Sequence, residues 1–86
     1  MNIVDVPGSH WQAADGLHID TRGLLPPDPM VAILWHLERP GQFGPVTAHI
    51  DRNPVHLFPE LHERGWNYEY ALETETEVQL VLRKAT

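Results

Sequence analysis

Apolar and polar positions alternate along four short stretches of this chain and recur with helical spacing in two others. Leu17 and Ile19 alternate with His18 and Asp20, the two-residue period of a strand with one buried face. From Pro45 to Asp51 the same period sets Val46, Ala48 and Ile50 on one face and Thr47, His49 and Asp51 on the other. Further on, Trp66, Tyr68, Tyr70 and Leu72 share one parity. After Thr74-Glu75-Thr76, Val78, Leu80 and Leu82 do the same, which predicts a hairpin whose aromatic side is buried. Met30, Ile33, Leu34 and Leu37 fall at i, i+3, i+4 and i+7, one apolar stripe of a helix. Asp28-Pro29 supplies a capping carboxylate and a proline for its first turn, and Pro40-Gly41 ends it. Asn53-Pro54 repeats the start signal. There a first turn near residues 54–57, a kink at Pro59 and a helix from about Phe58 to Arg64 are expected, with Gly65 as the left-handed stop.

The predicted order is therefore β-α-β-α-β-β. Two βα units favour parallel pairing of their strands, and the closing hairpin adds antiparallel ones. Because every strand has one apolar side, both helices should cover the same face. The expected fold is α/β (α+β), a two-layer sandwich with a mixed four-stranded sheet whose other face is open. Residues 1–16 show turn signals at Pro7-Gly8-Ser9 and Asp15-Gly16 but no period, and they read as a partly ordered N-terminal leader before a single domain over 17–86. Trp11 is the leader's one large anchor and is expected to dock on the domain's own surface. The triplets His18-Ile19-Asp20 and His49-Ile50-Asp51 suggest that the two βα units are built alike.

Composition narrows the function more by exclusion than by indication. Eighty-six residues fit one domain, and 42% apolar content marks a folded chain. With no cysteine there is no disulfide framework, no thiolate zinc site and no thiol nucleophile. Twelve acidic against six basic residues give a net charge of −6, which disfavours nucleic acid and anionic membranes as partners. No apolar run approaches the roughly 18 residues of a membrane span, and the first residues lack the pattern of a secretory signal, so a cytoplasmic location is expected.

The stretch Ile19-Asp20-Thr21-Arg22-Gly23-Leu24-Leu25-Pro26-Pro27-Asp28-Pro29-Met30 resembles the signature of the TusA/SirA-like sulfur carriers, in which Arg-Gly-Leu, a residue, and Cys-Pro-x-Pro lead into a helix. The resemblance covers roughly residues 17–84. It implies a sheet order 1-2-4-3 with the fourth strand antiparallel to the others. The carriers' sulfur-bearing cysteine falls on Pro26, which has neither sulfur nor an N–H. Sulfur transfer by the carriers' mechanism is thereby excluded. With Pro26-Pro27, and with His49-Ile50-Asp51-Arg52 and Gly65-Trp66 downstream, the chain is more similar to a cysteine-less branch of that family, an uncharacterised bacterial domain. Members of the branch occur alone or beside hemerythrin-type and other redox-associated domains, which implies a redox or nitrogen-oxide context.

Two residue groups carry the functional expectations. The first is the loop into the first helix: Asp20, Arg22, Gly23, Leu24, Leu25 and Pro26. Where the carriers meet their partners, this loop would recognise another protein through Arg22 and the apolar Leu24 and Leu25. The plainer role for Asp20 and Arg22 is to hold the strand-to-helix turn by local hydrogen bonds. The second group, His18, Asp20, His49 and Asp51, lies on the open sheet face. Imidazole and carboxylate together suit zinc, copper or iron, although a solvated polar face needs no ligand. His36, opposite the apolar stripe, should face water, as should His56, Glu60, His62 and Glu63 on the second helix. His10 carries no signal. Phe43 and Phe58 are candidates to plug the sheet ends, and Glu69, Glu73, Glu75 and Glu77 form an acidic, solvated hairpin. No nucleophile–base pair, phosphate-binding glycine loop or paired-carboxylate motif stands out. The sequence thus reads as a non-catalytic binding or adaptor domain with no cofactor, a protein as its partner, and a metal- or small-ligand site on the His/Asp face as the alternative.

Overall fold

Each stretch of two-residue period becomes a strand of one sheet, and each stretch of helical period becomes a helix. A computed structural model describes residues 5–85, so the leader's first four residues lie outside it. Its elements are β1 (Ser9–Ala13), β2 (Gly16–Asp20), α1 (Asp28–Leu37), β3 (Val46–Ile50), α2 (Leu57–Glu63), β4 (Trp66–Glu73) and β5 (Val78–Lys84). The sheet is mixed, in the order β1-β2-β3-β5-β4. β2 and β3 run parallel, and the other three pairings are antiparallel. The protein is a small α+β fold with five strands, not four. The four expected strands have the order and directions that the resemblance implied.

The fifth strand comes from the leader. Ser9–Ala13 pairs along the outer edge of β2, through a tight turn at Ala14-Asp15. Gly16 follows that turn at φ 113°, and a Cβ there would collide with the Pro45 carbonyl oxygen, so only glycine fits. Period gave no signal for β1 because all five of its residues are exposed and the two that face the helices, His10 and Gln12, are polar.

The core is a single cluster on one side of the sheet. Leu17, Ile19, Val46, Ala48, Ile50, Val78, Leu80 and Leu82 meet Ile33 and Leu37 of α1 and Leu57 and Leu61 of α2. Both helices therefore cover one face, as the alternation requires. Pro27 occupies the cap position of α1 without a side-chain bond, and Asp28 is its first helical residue. There the carboxylate complements the helix dipole in place of capping it. Pro59 is the third residue of α2, where its missing N–H would have had no partner within the helix, so it sits in the first turn and not at an interior kink. Asn53 accepts a hydrogen bond from the Tyr70 hydroxyl at 2.6 Å and does not cap the helix.

Two expectations about burial are corrected by this geometry. Trp66 is buried, but Tyr68 and Tyr70 remain exposed, with Tyr68 stacked on Phe58 at 4.2 Å. They do face the helix side, yet β4 is an edge strand and the short α2 covers only its start. Phe43 is likewise exposed and plugs nothing. Replacing Leu80 with Ala should lower the unfolding free energy by about 2–5 kcal/mol in urea titrations, whereas Leu25→Ala on the surface should change it by less than about 0.5 kcal/mol.

Candidate functional site

The loop from β2 into α1 is held from both ends. Arg22 donates to Asp20 Oδ1 from its backbone N–H at 3.0 Å and from Nε at 2.9 Å. It donates again from Nη2 to Oδ2 at 2.8 Å. This fork holds the Asp20 carboxyl below its usual range and raises the guanidinium. Arg22 also reaches Glu77 Oε2 at 3.5 Å. Gly23, at φ 84°, donates its N–H to Asp51 Oδ2 at 2.6 Å, and Thr21 donates from both backbone and hydroxyl to the His49 carbonyl. Thr21 and Gly23 are thus fastened to the end of β3, Arg22 to Asp20 and Glu77, and Asp51 is spent on the loop.

Beyond this turn the loop becomes one wall of a groove of about 480 Å³. Leu24, Pro26 and Met30 line one side, and Ile50, Val55 and Leu57 line the other. Val55 is 58% exposed at the rim, and Leu25, next to the groove in sequence, is 79% exposed. Arg52 is the groove's guanidinium. Among the described residues it forms no ion pair, whereas Arg22, Arg64 and Arg83 pair with carboxylates and Arg39 and Lys84 lie over tryptophan rings.

On the opposite face of the sheet the histidines do meet. The parallel register sets Asp20 opposite His49 and His18 opposite Thr47, so the two imidazoles are diagonal neighbours. His18 Nδ1 lies 2.9 Å from His49 Nε2, and His18 Nε2 lies 2.7 Å from Asp15 Oδ1. Trp11, directly opposite His18 on β1, stacks over it at 5.3 Å and reaches His49 at 5.5 Å. His49 Nδ1 then faces Glu77 Oε2 at 3.9 Å. Burial, followed by the neighbouring His18, pushes the His49 imidazole below its ordinary value, and the His18 hydrogen bond lowers the Asp15 carboxyl.

His18, Asp20, His49 and Asp51 do not converge on one point. Asp20 is held by Arg22, Asp51 by Gly23, and each histidine turns a nitrogen to the other. Among the described residues no three ligating side chains come together at one point. Trp11, expected to dock on the domain's surface, does so on this face, and Asp15 and Glu77, which no pattern in the sequence joined to it, belong to it as well. Only a turn signal at Asp15 and the lone tryptophan hinted at a docked leader. His36, expected to face water, is only 3% exposed, because β1 carries His10 across it. No helix among the described residues is long and apolar enough to cross a membrane.

A family model described as "Uncharacterized conserved protein (DUF2249)" matches residues 18–84, and the chain belongs to that family. No curated protein and no solved structure matches it.

The proton positions on the histidine pair follow from Asp15. As an ionised acceptor it requires Nε2–H on His18, which leaves Nδ1 of His18 to accept Nε2–H from His49. Long-range ¹H–¹⁵N spectra at pH 7.5 should therefore show both rings as neutral Nε2–H tautomers, and Asp15→Asn should redistribute His18. Because His49 takes its proton less readily in the folded chain than in the unfolded one, its contribution to stability is present above the ordinary imidazole value of 6.5 and is lost as the pH falls through its lower folded value. Urea titrations between pH 7.5 and 5 should show this decline, and it should be smaller in His49→Gln.

Proposed function

We propose that this DUF2249 chain is a non-catalytic binding domain that docks a protein segment in the groove between the loop into α1 and the loop before α2. The observation that carries this reading is the groove itself: an apolar concavity beside the exposed Leu25 and Val55, with an unpaired guanidinium in its wall. Isolated exposed leucines are ordinary, but apolar side chains gathered around a concavity are what a partner's side chain can fill. The occupant follows from charge. Among the described residues Arg52 pairs with no carboxylate, Asp51 beside it in the groove being bonded to Gly23, so a segment that buries an apolar side chain and carries an Asp or Glu beside it satisfies both features at once. Arg22, the cation first expected at this surface, is committed to Asp20 and Glu77 and acts by fixing the shape of the turn.

The same geometry accounts for Pro26. In the TusA-like reading this is where a sulfur carrier would hold its cysteine; here the residue lines the groove, and the surface keeps a partner-binding role without the chemistry. The redox or nitrogen-oxide setting and a cytoplasmic location belong to the same proposal.

Selection of a phage-displayed library of random dodecapeptides on the immobilised chain tests it. Enriched peptides should share an apolar residue flanked by Asp or Glu, and their synthetic forms should shift the amide resonances of Leu24, Val55 and Leu57. Arg52→Glu and Leu24→Asp should each weaken binding at least tenfold while leaving the fold's spectrum in place. Peptides that bind both variants as well as the parent, or a library that yields no binder, would overturn the assignment.

A further inference from the structure

A second cavity, of about 310 Å³, lies at the other end of α1, between its C-terminal turn and β1. His10 and Gln12 line it from β1, Leu17 from β2, and His36, Arg39 and Gln42 from α1 and the turn after it. It is independent of the groove. Three features set it apart. In a chain with twelve carboxylates against six lysines and arginines, the ionisable groups that line this cavity among the described residues are His10, His36 and Arg39, with no carboxylate. His36 is buried, its ring lies 4.8 Å from that of His10, and its side chain makes no hydrogen bond to another described residue. At this helix end the carbonyls of Leu34, His36 and Arg39 accept N–H groups from Glu38, Arg39 and Gln42.

Groups of one sign gathered around a void repel one another. Here burial, His10 and Arg39 together hold the His36 imidazole down at about 4. Arg39 is itself steadied above the Trp35 ring at 5.1 Å, so the guanidinium is already in place. A ligand that relieves this arrangement must carry negative charge and must accept hydrogen bonds from imidazole, guanidinium and amide donors.

We propose that this cavity binds a small oxyanion of the phosphate or carboxylate class, taken up together with a proton on its imidazoles. An anion placed among His10, His36 and Arg39 reverses the sign of the local potential, so that protonating the rings becomes favourable. By linkage the anion then binds more tightly as the pH falls. The cavity has room for inorganic phosphate or a short carboxylate and no room for a macromolecule.

The test uses the full chain with sodium phosphate, sodium sulfate and sodium acetate, each compared with sodium chloride at equal ionic strength. Sulfate keeps its charge across the pH range and so separates protein protonation from that of phosphate. At least one oxyanion should shift the His36 and Gln42 resonances in a saturable way. Its affinity should rise at least fivefold from pH 7.5 to 6.0, and His36 titration should move up by a unit or more. Arg39→Gln, a surface substitution expected to fold normally, should weaken binding at least tenfold. The pattern across the three salts tells phosphate-like from carboxylate ligands. Responses no different from chloride, an affinity indifferent to pH, or a site that saturates with Zn²⁺ or Ni²⁺ but not with an anion would overturn the proposal.

Discussion

The parallel pairing of β2 with β3, with Asp20 opposite His49, is the constraint from which the candidate surfaces follow. Parallel neighbours send both following loops out at the same end of the sheet. The two βα turns thus become adjacent walls, and the apolar groove forms between them. The register also staggers the two His-x-Asp triplets by two positions, so Asp51 overshoots the strand and reaches Gly23 while His49 falls diagonal to His18. A slip of one residue would turn the histidines into the core and the aliphatic residues out to water. The buried Ile19, Val46, Ala48 and Ile50 hold this register, so hydrophobic packing on one face fixes the polar geometry on the other.

β1 acts on both faces through the same alternation. Its odd-numbered Trp11 lies over the imidazole pair, and its even-numbered His10 crosses to the helix side and covers His36. One short, exposed strand thereby turns an open polar face into a partly covered one and encloses the basic cavity. It also leaves β1 and β4 as the sheet's edges, each carrying polar or bulky side chains of the sort that discourage edge-to-edge pairing.

The elements with a buried face were legible from period alone. Leu17, Ile19 and the aliphatic residues of β3 and β5 could pack in only one way, and Ile33 and Leu37 marked α1 for the same reason. β1 was not legible, because backbone pairing and one tryptophan hold it and neither leaves a periodic trace. Trp11 docks on the domain's own surface as expected, whereas the errors at His36 and Glu77 follow from contacts made across the chain: His36 looked solvent-facing on its own helix and is buried only by β1. Tyr68 and Tyr70 show the converse. Parity gives the side of a sheet and says nothing about how much helix lies above it.

Charge compensation distinguishes the three polar regions. On the sheet face Asp15 holds His18, Arg22 holds Asp20, and Glu77 takes hydrogen bonds from Arg22 and Gln79, so that network is largely closed on itself. Ion pairs of this exposed kind contribute little to stability but do set side-chain positions. Among the described residues Arg52 and the His10–His36–Arg39 cluster have no such closure, although carboxylates outnumber lysines and arginines two to one. A folded chain with acids to spare can neutralise a guanidinium locally, as Glu60 does for Arg64 and Glu69 for Arg83. Where it does not, and a cavity lies beside the unneutralised base, there is room for a ligand to supply the missing negative charge, which is the basis of both proposals. The groove at the start of α1 and the cavity at its end both meet that condition. They differ in what surrounds the charge: an apolar wall that asks for a side chain beside the carboxylate, and a polar one that asks for the anion alone.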